Sequence, residues 1–279
     1  MIHLISMVLR LLHLLCAGLG VALLAIAGPA RAQQAADMVD VRVLPGWRTP
    51  EGLHIAAIEM RLRPGWMTYW RAPGDTGIPP QFDWRRSHNL TGVEIVWPTP
   101  SVRDKGGVRT IGYSDVLVLP IRVLPARSGG DVTLTGRIEM GVCRDICVPV
   151  AVRVSGQLPN ATARPDPRIV AALASRPDTA AEAGVRGVAC RISPIEGGLG
   201  LQAEIEIPGA TGYDAAVIEV DNPRIWVASA RTTHRGGRLI AATRLYHAEG
   251  RSFALDRSGI RITVMGRGRA VDIQGCAAG

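Results

Sequence analysis

Apolar and polar residues alternate with period two along much of residues 38–158. "MVDVRVLPGW" (38–47), "GLHIAAIEMRLRPGW" (52–66) and "VEIVWP" (93–98) put every second residue on one face, the pattern of strands with one side buried. "DVLVLPIRVLP" (115–125) is interrupted by prolines, which lack a ladder donor and suit strand ends or edges. The clearest pair is "DVTLTGRIEMGVC" (131–143) and "CVPVAVRVSGQL" (147–158), separated by three residues. Short strands between Gly, Pro, Asn and Asp turns predict an antiparallel β-sandwich over residues 33–158.

The texture changes at residues 159–187, which are rich in Ala, Pro and Arg. Within them "DPRIVAALAS" predicts one short helix: Asp166 can cap it, Pro167 suits its first position, and Pro177 stops its continuation. Alternation returns at 188–279, in "VACRISPIE", "LGLQAEIEIPG", "AAVIEVDN", "RLIAATRLYH" and "IRITVMG". The expectation is an all-β chain with two sandwich domains (33–158 and 188–279) joined by a linker with one helix. Residues 1–32 read as a secretory signal: Arg10, a 17-residue apolar run, then "GPARA" with Ala30 and Ala32 at peptidase spacing. Cleavage is expected after Ala32, and the mature protein is expected to be exported to the periplasm.

Composition changes this picture little. The chain carries a formal charge of +8, but Lys105 is the only lysine and the arginines are dispersed. No basic cluster supports a nucleic-acid partner. "DWRRSH" (83–88) reads as a solvated turn. There is no phosphate-cradling glycine loop and no nucleophile elbow, so neither a nucleotide cofactor nor hydrolase chemistry is expected. His54, His88, His234 and His247 are scattered, and none stands at ligand spacing with a cysteine or another histidine.

Cysteine usage carries the chemistry. Of the five cysteines, Cys16 lies in the expected signal, and an exported chain with the remaining four is read as disulfide-bonded. The domain division pairs Cys143 with Cys147 and Cys190 with Cys276. The second pair closes a long loop, worth about 4.6 kcal/mol in the chain-entropy treatment, and reads as a structural staple; the first closes five residues, worth about 2 kcal/mol. The flanking strands and the loop Arg144-Asp145-Ile146 can set Cys143 opposite Cys147 across a hairpin, where Cα atoms are about 4.5–5.5 Å apart. Both redox forms then fit one backbone. Three readings stay open on these residues alone: thiol–disulfide exchange, a plain hairpin staple, and metal binding, with copper(I) held by the pair and Met140.

A family resemblance adds to this. "RPGWMTYWRAPGDTGIPPQFDW" (63–84), "WPTPSVRDKGGVRTIGYSDVLVLPIRV" (97–123) and "GVCRDICVP" (141–149) resemble, in order, segments of the periplasmic N-terminal domain of the thiol:disulfide interchange protein DsbD and its relative ScsB. The resemblance implies immunoglobulin-like domains, a redox pair Cys143 and Cys147, and no small cofactor. It implies a protein-disulfide reductase or interchange component that passes reducing equivalents to thioredoxin-like periplasmic proteins. Their source would be a membrane-embedded thiol–disulfide transporter, here on a separate chain. Cys147 is favoured as the sulfur that forms the mixed disulfide. Where DsbD shields its cysteines with an aromatic cap, residues 105–113 hold no Phe, and Tyr113 is the candidate shield. The alternative is a non-catalytic binding module, copper-handling or chaperone-like, with a structural hairpin bond. Trp66, Tyr69, Trp70 and Trp84 are expected to pack in the core and loops. Asp75 is expected to hydrogen-bond the "PGDTGIPP" loop.

Overall fold

The computed structural model describes residues 37–161 and 164–279; the expected signal segment lies outside them. Ten strands precede the helix: β1 (Val39–Arg48), β2 (His54–Leu62), β3 (Met67–Gly74), β4 (Gln81–Asp83), β5 (Leu90–Ile95), β6 (Ser101–Lys105), β7 (Val108–Ser114), β8 (Val116–Pro125), β9 (Val132–Cys143) and β10 (Cys147–Leu158). They form one sheet in the order β1-β2-β8-β5 and another in the order β10-β9-β3-β7-β6, with β4 also on β9. The alternation read in the sequence becomes the facing of the two sheets. Ile58, Met60, Leu119 and Ile121 from the first meet Trp70, Leu134, Ile138, Met140 and Val142 from the second in one apolar cluster. Each such side chain contributes about 1.5–3 kcal/mol by leaving water.

The predicted helix forms as α1 (Pro167–Ala174), with the Asp166 carboxylate accepting the Arg168 N–H at 2.9 Å. It is docked, not a free tether. Ile169 enters a small cluster with Leu44, Ile55 and Ala57, and Arg168 reaches the buried Glu59 at 3.3 Å. Just beyond it, β11 (Asp178–Thr179) pairs in parallel with a strand of the second half. The connector is thereby held at both ends.

The second half contains β12 (Gly187–Ile195), β13 (Gly198–Glu206), β14 (Ala215–Val220), β15 (Ile225–Val227), β16 (Arg231–Arg235), β17 (Arg238–His247), β18 (Ile260–Gly266), β19 (Arg269–Gln274) and β20 (Ala277–Ala278). Its sheets run β11-β19-β18-β14 and β15-β17-β13-β12-β20, with β16 also on β17. Their inner faces enclose a separate core around Leu201, Ile205, Leu239, Ile262 and Ile273. Cys190, fully buried on β12, is bonded to Cys276. The stretch "AVDIQGCA" (270–277) reads in the sequence as a final strand that includes Cys276. Instead Gly275, at φ +74°, ends the run at Gln274, and Cys276 lies in the link before β20.

The chain is thus mostly β, with two sheet clusters joined by one helix. The halves also touch directly. Ala215, Met265 and Ala270 pack into the first core cluster. Arg71 on β3 donates to the Glu219 carboxylate at 3.1 and 2.9 Å and to the Thr263 hydroxyl at 3.1 Å. The strand that carries Arg71 also carries the aromatic residue closest to the candidate chemistry.

Candidate functional site

The β9–β10 ladder runs without a break from Val132↔Leu158 to Cys143↔Cys147, so the two cysteines are its last opposed pair. Their Cα atoms are 4.2 Å apart and their sulfurs are bonded. The loop Arg144-Asp145-Ile146 closes the turn, with the Arg144 N–H donating to the Ile146 carbonyl at 3.3 Å. Burial of the two partners is unequal. Cys143 is 5% exposed, whereas Cys147 is exposed. Ile146, at the tip between them, is 71% exposed.

Strand alternation decides which neighbours reach the sulfurs. β3 lies against the same end of β9, with Met67↔Cys143 and Thr68↔Val142 as partners. Thr68 faces the core, where its hydroxyl donates to the Gly141 carbonyl at 2.9 Å and approaches the Met140 sulfur at 3.7 Å. The next residue, Tyr69, faces the other way. Its hydroxyl lies 2.8 Å from Cys143 Sγ and 2.9 Å from Cys147 Sγ. With both sulfurs in a disulfide, the phenol is the donor. Burial raises the Tyr69 pKa above its ordinary value, which keeps that proton in place at neutral pH. Gly141 makes room for the ring, since a Cβ there would stand 3.0 Å from Tyr69 Cε2.

The other sequence candidates fall around this centre as follows. Tyr113 on β7 is buried in the first core, with its hydroxyl donating to the Pro98 carbonyl at 2.7 Å; the aromatic group touching the bridge is Tyr69. Arg144 pairs with Asp145 at 3.1 Å, and its guanidinium lies 5.1 Å from the Trp66 ring centre, so its described contacts are to those two residues. Met140 points into the core, on the face of β9 opposite Cys143, and does not join the cysteines as a third soft ligand. Among the described residues no group of three or more His, Cys, Asp or Glu is placed to hold a metal ion. Asp75 bonds beyond the loop it was expected to serve: its carboxylate accepts the Arg109 N–H on β7 at 2.6 Å. Tyr69 was legible only as core packing. The available signal was its place one residue out of phase with Thr68 and Trp70, opposite a strand bearing Gly141.

A β-sheet unit whose hairpin tip ends in a bonded, half-exposed cysteine pair is the class of structure these observations define. Residues 40–159 match the family described as thiol:disulfide interchange protein DsbD, N-terminal. Across both halves, the chain is similar in fold to the crystal structure of the N-terminal periplasmic domain of ScsB from Proteus mirabilis. That match has a TM-score of 0.61 and 22% identity, and covers 86% of this chain and 92% of that one. A search of curated proteins finds no match.

Proposed function

We propose that this protein is a periplasmic thiol–disulfide exchange protein that passes reducing equivalents to thioredoxin-like partners through Cys143 and Cys147. In this reading a membrane-embedded transporter on a separate chain supplies the electrons. Both halves are immunoglobulin-like sandwiches, and only the first carries chemistry. The observation that carries the reading is the asymmetry of the bridge: an exposed Cys147, a buried Cys143, and a phenol donor on both sulfurs.

The chemistry follows from that asymmetry. A donor thiolate attacks Cys147 Sγ, the sulfur open to solvent. The new S–S bond forms as the Cys143–Cys147 bond breaks, and the electron pair goes to Cys143 Sγ as a thiolate. Exchange is faster when the leaving thiolate is stabilised, and a hydrogen bond to a charged group is worth about 1.5–3 kcal/mol. Tyr69 is positioned to supply it. The donor's second thiol then releases the reduced protein. Toward a client the sequence reverses: the Cys147 thiolate attacks the client disulfide, and Cys143 resolves the mixed disulfide and regenerates the bridge. Ile146, exposed beside the attacked sulfur, offers apolar area to the incoming protein surface.

The test is trapping. Cys143→Ser leaves Cys147 without its resolving partner, and incubation with an oxidised thioredoxin-like periplasmic protein should accumulate a mixed disulfide on non-reducing gels. Cys147→Ser should trap none. Absence of any adduct with Cys143→Ser across several such partners would contradict the reading and leave a binding module with a structural hairpin bond.

A further inference from the structure

The segment after Tyr69 is built as a strap. The β3–β7 register is regular to Tyr69↔Gly112, breaks, and resumes only at Gly74↔Thr110. Gly74 takes φ +93°, and a Cβ there would lie 2.4 Å from the Arg109 carbonyl oxygen, so the backbone can approach β7 only with glycine. Asp75 then ties the strap down twice. Its N–H donates to the Arg109 carbonyl at 2.9 Å, and its carboxylate accepts the Arg109 N–H at 2.6 Å. The second half supplies one more anchor, as Arg109 Nη1 donates to the Ala230 carbonyl at 3.2 Å. Past Asp75 the strap crosses the tyrosine ring. Gly77, at φ +152°, passes so close that a Cβ would stand 2.5 Å from Tyr69 Cε1. At the far end, the Ile78 carbonyl accepts the Gly141 N–H at 3.1 Å. The ring is therefore held between the backbones of Gly77 and Gly141.

We propose that Asp75 is a positioning residue for disulfide exchange: tied to Arg109, which itself bonds the second half, it holds the 74–78 strap against the Tyr69 ring and so keeps the phenol on the departing Cys143 sulfur. This deepens the exchange reading and rests on it. The step is unchanged in its balance. The attacking thiolate bonds to Cys147, the electron pair goes to Cys143, and Tyr69 stabilises that thiolate without transferring its proton. Beyond its anchors on Arg109, the strap's described contacts near the bridge are to Tyr69 and Gly141, and Cys147 is exposed, so loosening it weakens the donor without opening a path to the sulfur.

The experiment measures the rate of Cys143–Cys147 reduction by dithiothreitol and the bridge's midpoint potential in glutathione buffers, on the full chain. Tyr69→Phe should slow reduction roughly 10-fold. Asp75→Ala should slow it in the same direction and shift the potential to more negative values. Tyr69→Phe with Asp75→Ala should be no slower than Tyr69→Phe alone, because the aspartate acts through the phenol. Asp75→Asn, which keeps an acceptor for Arg109, should recover most of the rate. Arg109→Ala, which removes the bond to the Ala230 carbonyl, should give a smaller effect of the same sign, and it carries the test if Asp75→Ala does not fold. Faster reduction in Asp75→Ala would make the strap a lid and overturn the proposal. So would a lowered melting temperature with rate and potential unchanged, or effects that multiply in the double variant. Dithiothreitol is indifferent to protein partners, so failure of partner trapping would leave this result standing on its own.

Discussion

The two disulfides of this chain use the same bond for different ends, and their surroundings separate them. Cys190 and Cys276 stand 86 residues apart in sequence, and Cys190 is fully buried in the second core. Its partner Cys276 is partly buried against the same core, so a thiolate approaching this bridge finds one sulfur closed to it and the other half-covered. Cys143 and Cys147 are four residues apart, the last pair of a ladder that runs unbroken back to Val132↔Leu158. Cys147 is exposed, Cys143 is buried, and Tyr69 backs both sulfurs. Loop length and access work in opposite senses here. The long loop gains most from closure and is the more covered, while the short loop gains least and ends in an exposed cysteine. A bond that contributes little to stability can be broken and remade at little cost to the fold.

The sharpest way to break this comparison is to remove each bridge in turn. Cys147→Ser should abolish exchange with thioredoxin-like proteins, whereas Cys190→Ala with Cys276→Ala should leave the exchange rate of the folded fraction near wild type. Loss of exchange in the second variant would erase the distinction. Denaturant unfolding gives the next effect in size. Removing the Cys190–Cys276 bond should cost about 4–5 kcal/mol, and removing Cys143–Cys147 about 2 kcal/mol. Equal costs would mean that the hairpin bond is also a staple.

A smaller effect lies away from both bridges and serves as a control. His54 is buried on β2, with Nε2 donating to the Pro45 carbonyl at 2.5 Å and Nδ1 without a partner. Burial, reinforced by the charge of Arg48 and opposed by the Pro45 bond, holds its pKa below the ordinary histidine value of 6.5. A depressed folded value contributes stability above the unfolded pKa that is lost as pH falls through the folded one. Thermal unfolding from pH 7.5 to 5.5 should therefore show a falling melting temperature, and His54→Asn should flatten the slope. The midpoint potential of the hairpin, compared at one pH between wild type and His54→Asn, should not move.

Much of this arrangement was legible in the sequence, because it depends on local pattern. Alternation gave the strands of the hairpin, three residues between two cysteines gave the turn, and Asp166 followed by Pro167 gave the start of α1. The contacts that shape the site were not local. Tyr69 lies 74 residues from Cys143, and its facing depends on the register of β3 against β9, which no single segment encodes. A resemblance in the 105–113 segment pointed to Tyr113 as shield, but in the structure its hydroxyl is spent on Pro98. The glycines of "PGDTGIPP" read as turn formers; that Gly77 instead clears a path over an aromatic ring appears only once the strap is seen crossing it. The pairing of Arg71 with Glu219, across 148 residues, likewise required the two halves to be placed together.

The most direct measurement is the reduction potential of each bridge in one sample of the folded protein, by differential thiol trapping and mass spectrometry across dithiothreitol and glutathione redox buffers. The account predicts a Cys143–Cys147 potential in the range of exchange proteins, about −270 to −120 mV, and a Cys190–Cys276 potential below about −300 mV. A hairpin potential that also fell below about −300 mV would contradict it, because the exposed bond would then be as resistant to exchange as the Cys190–Cys276 bond.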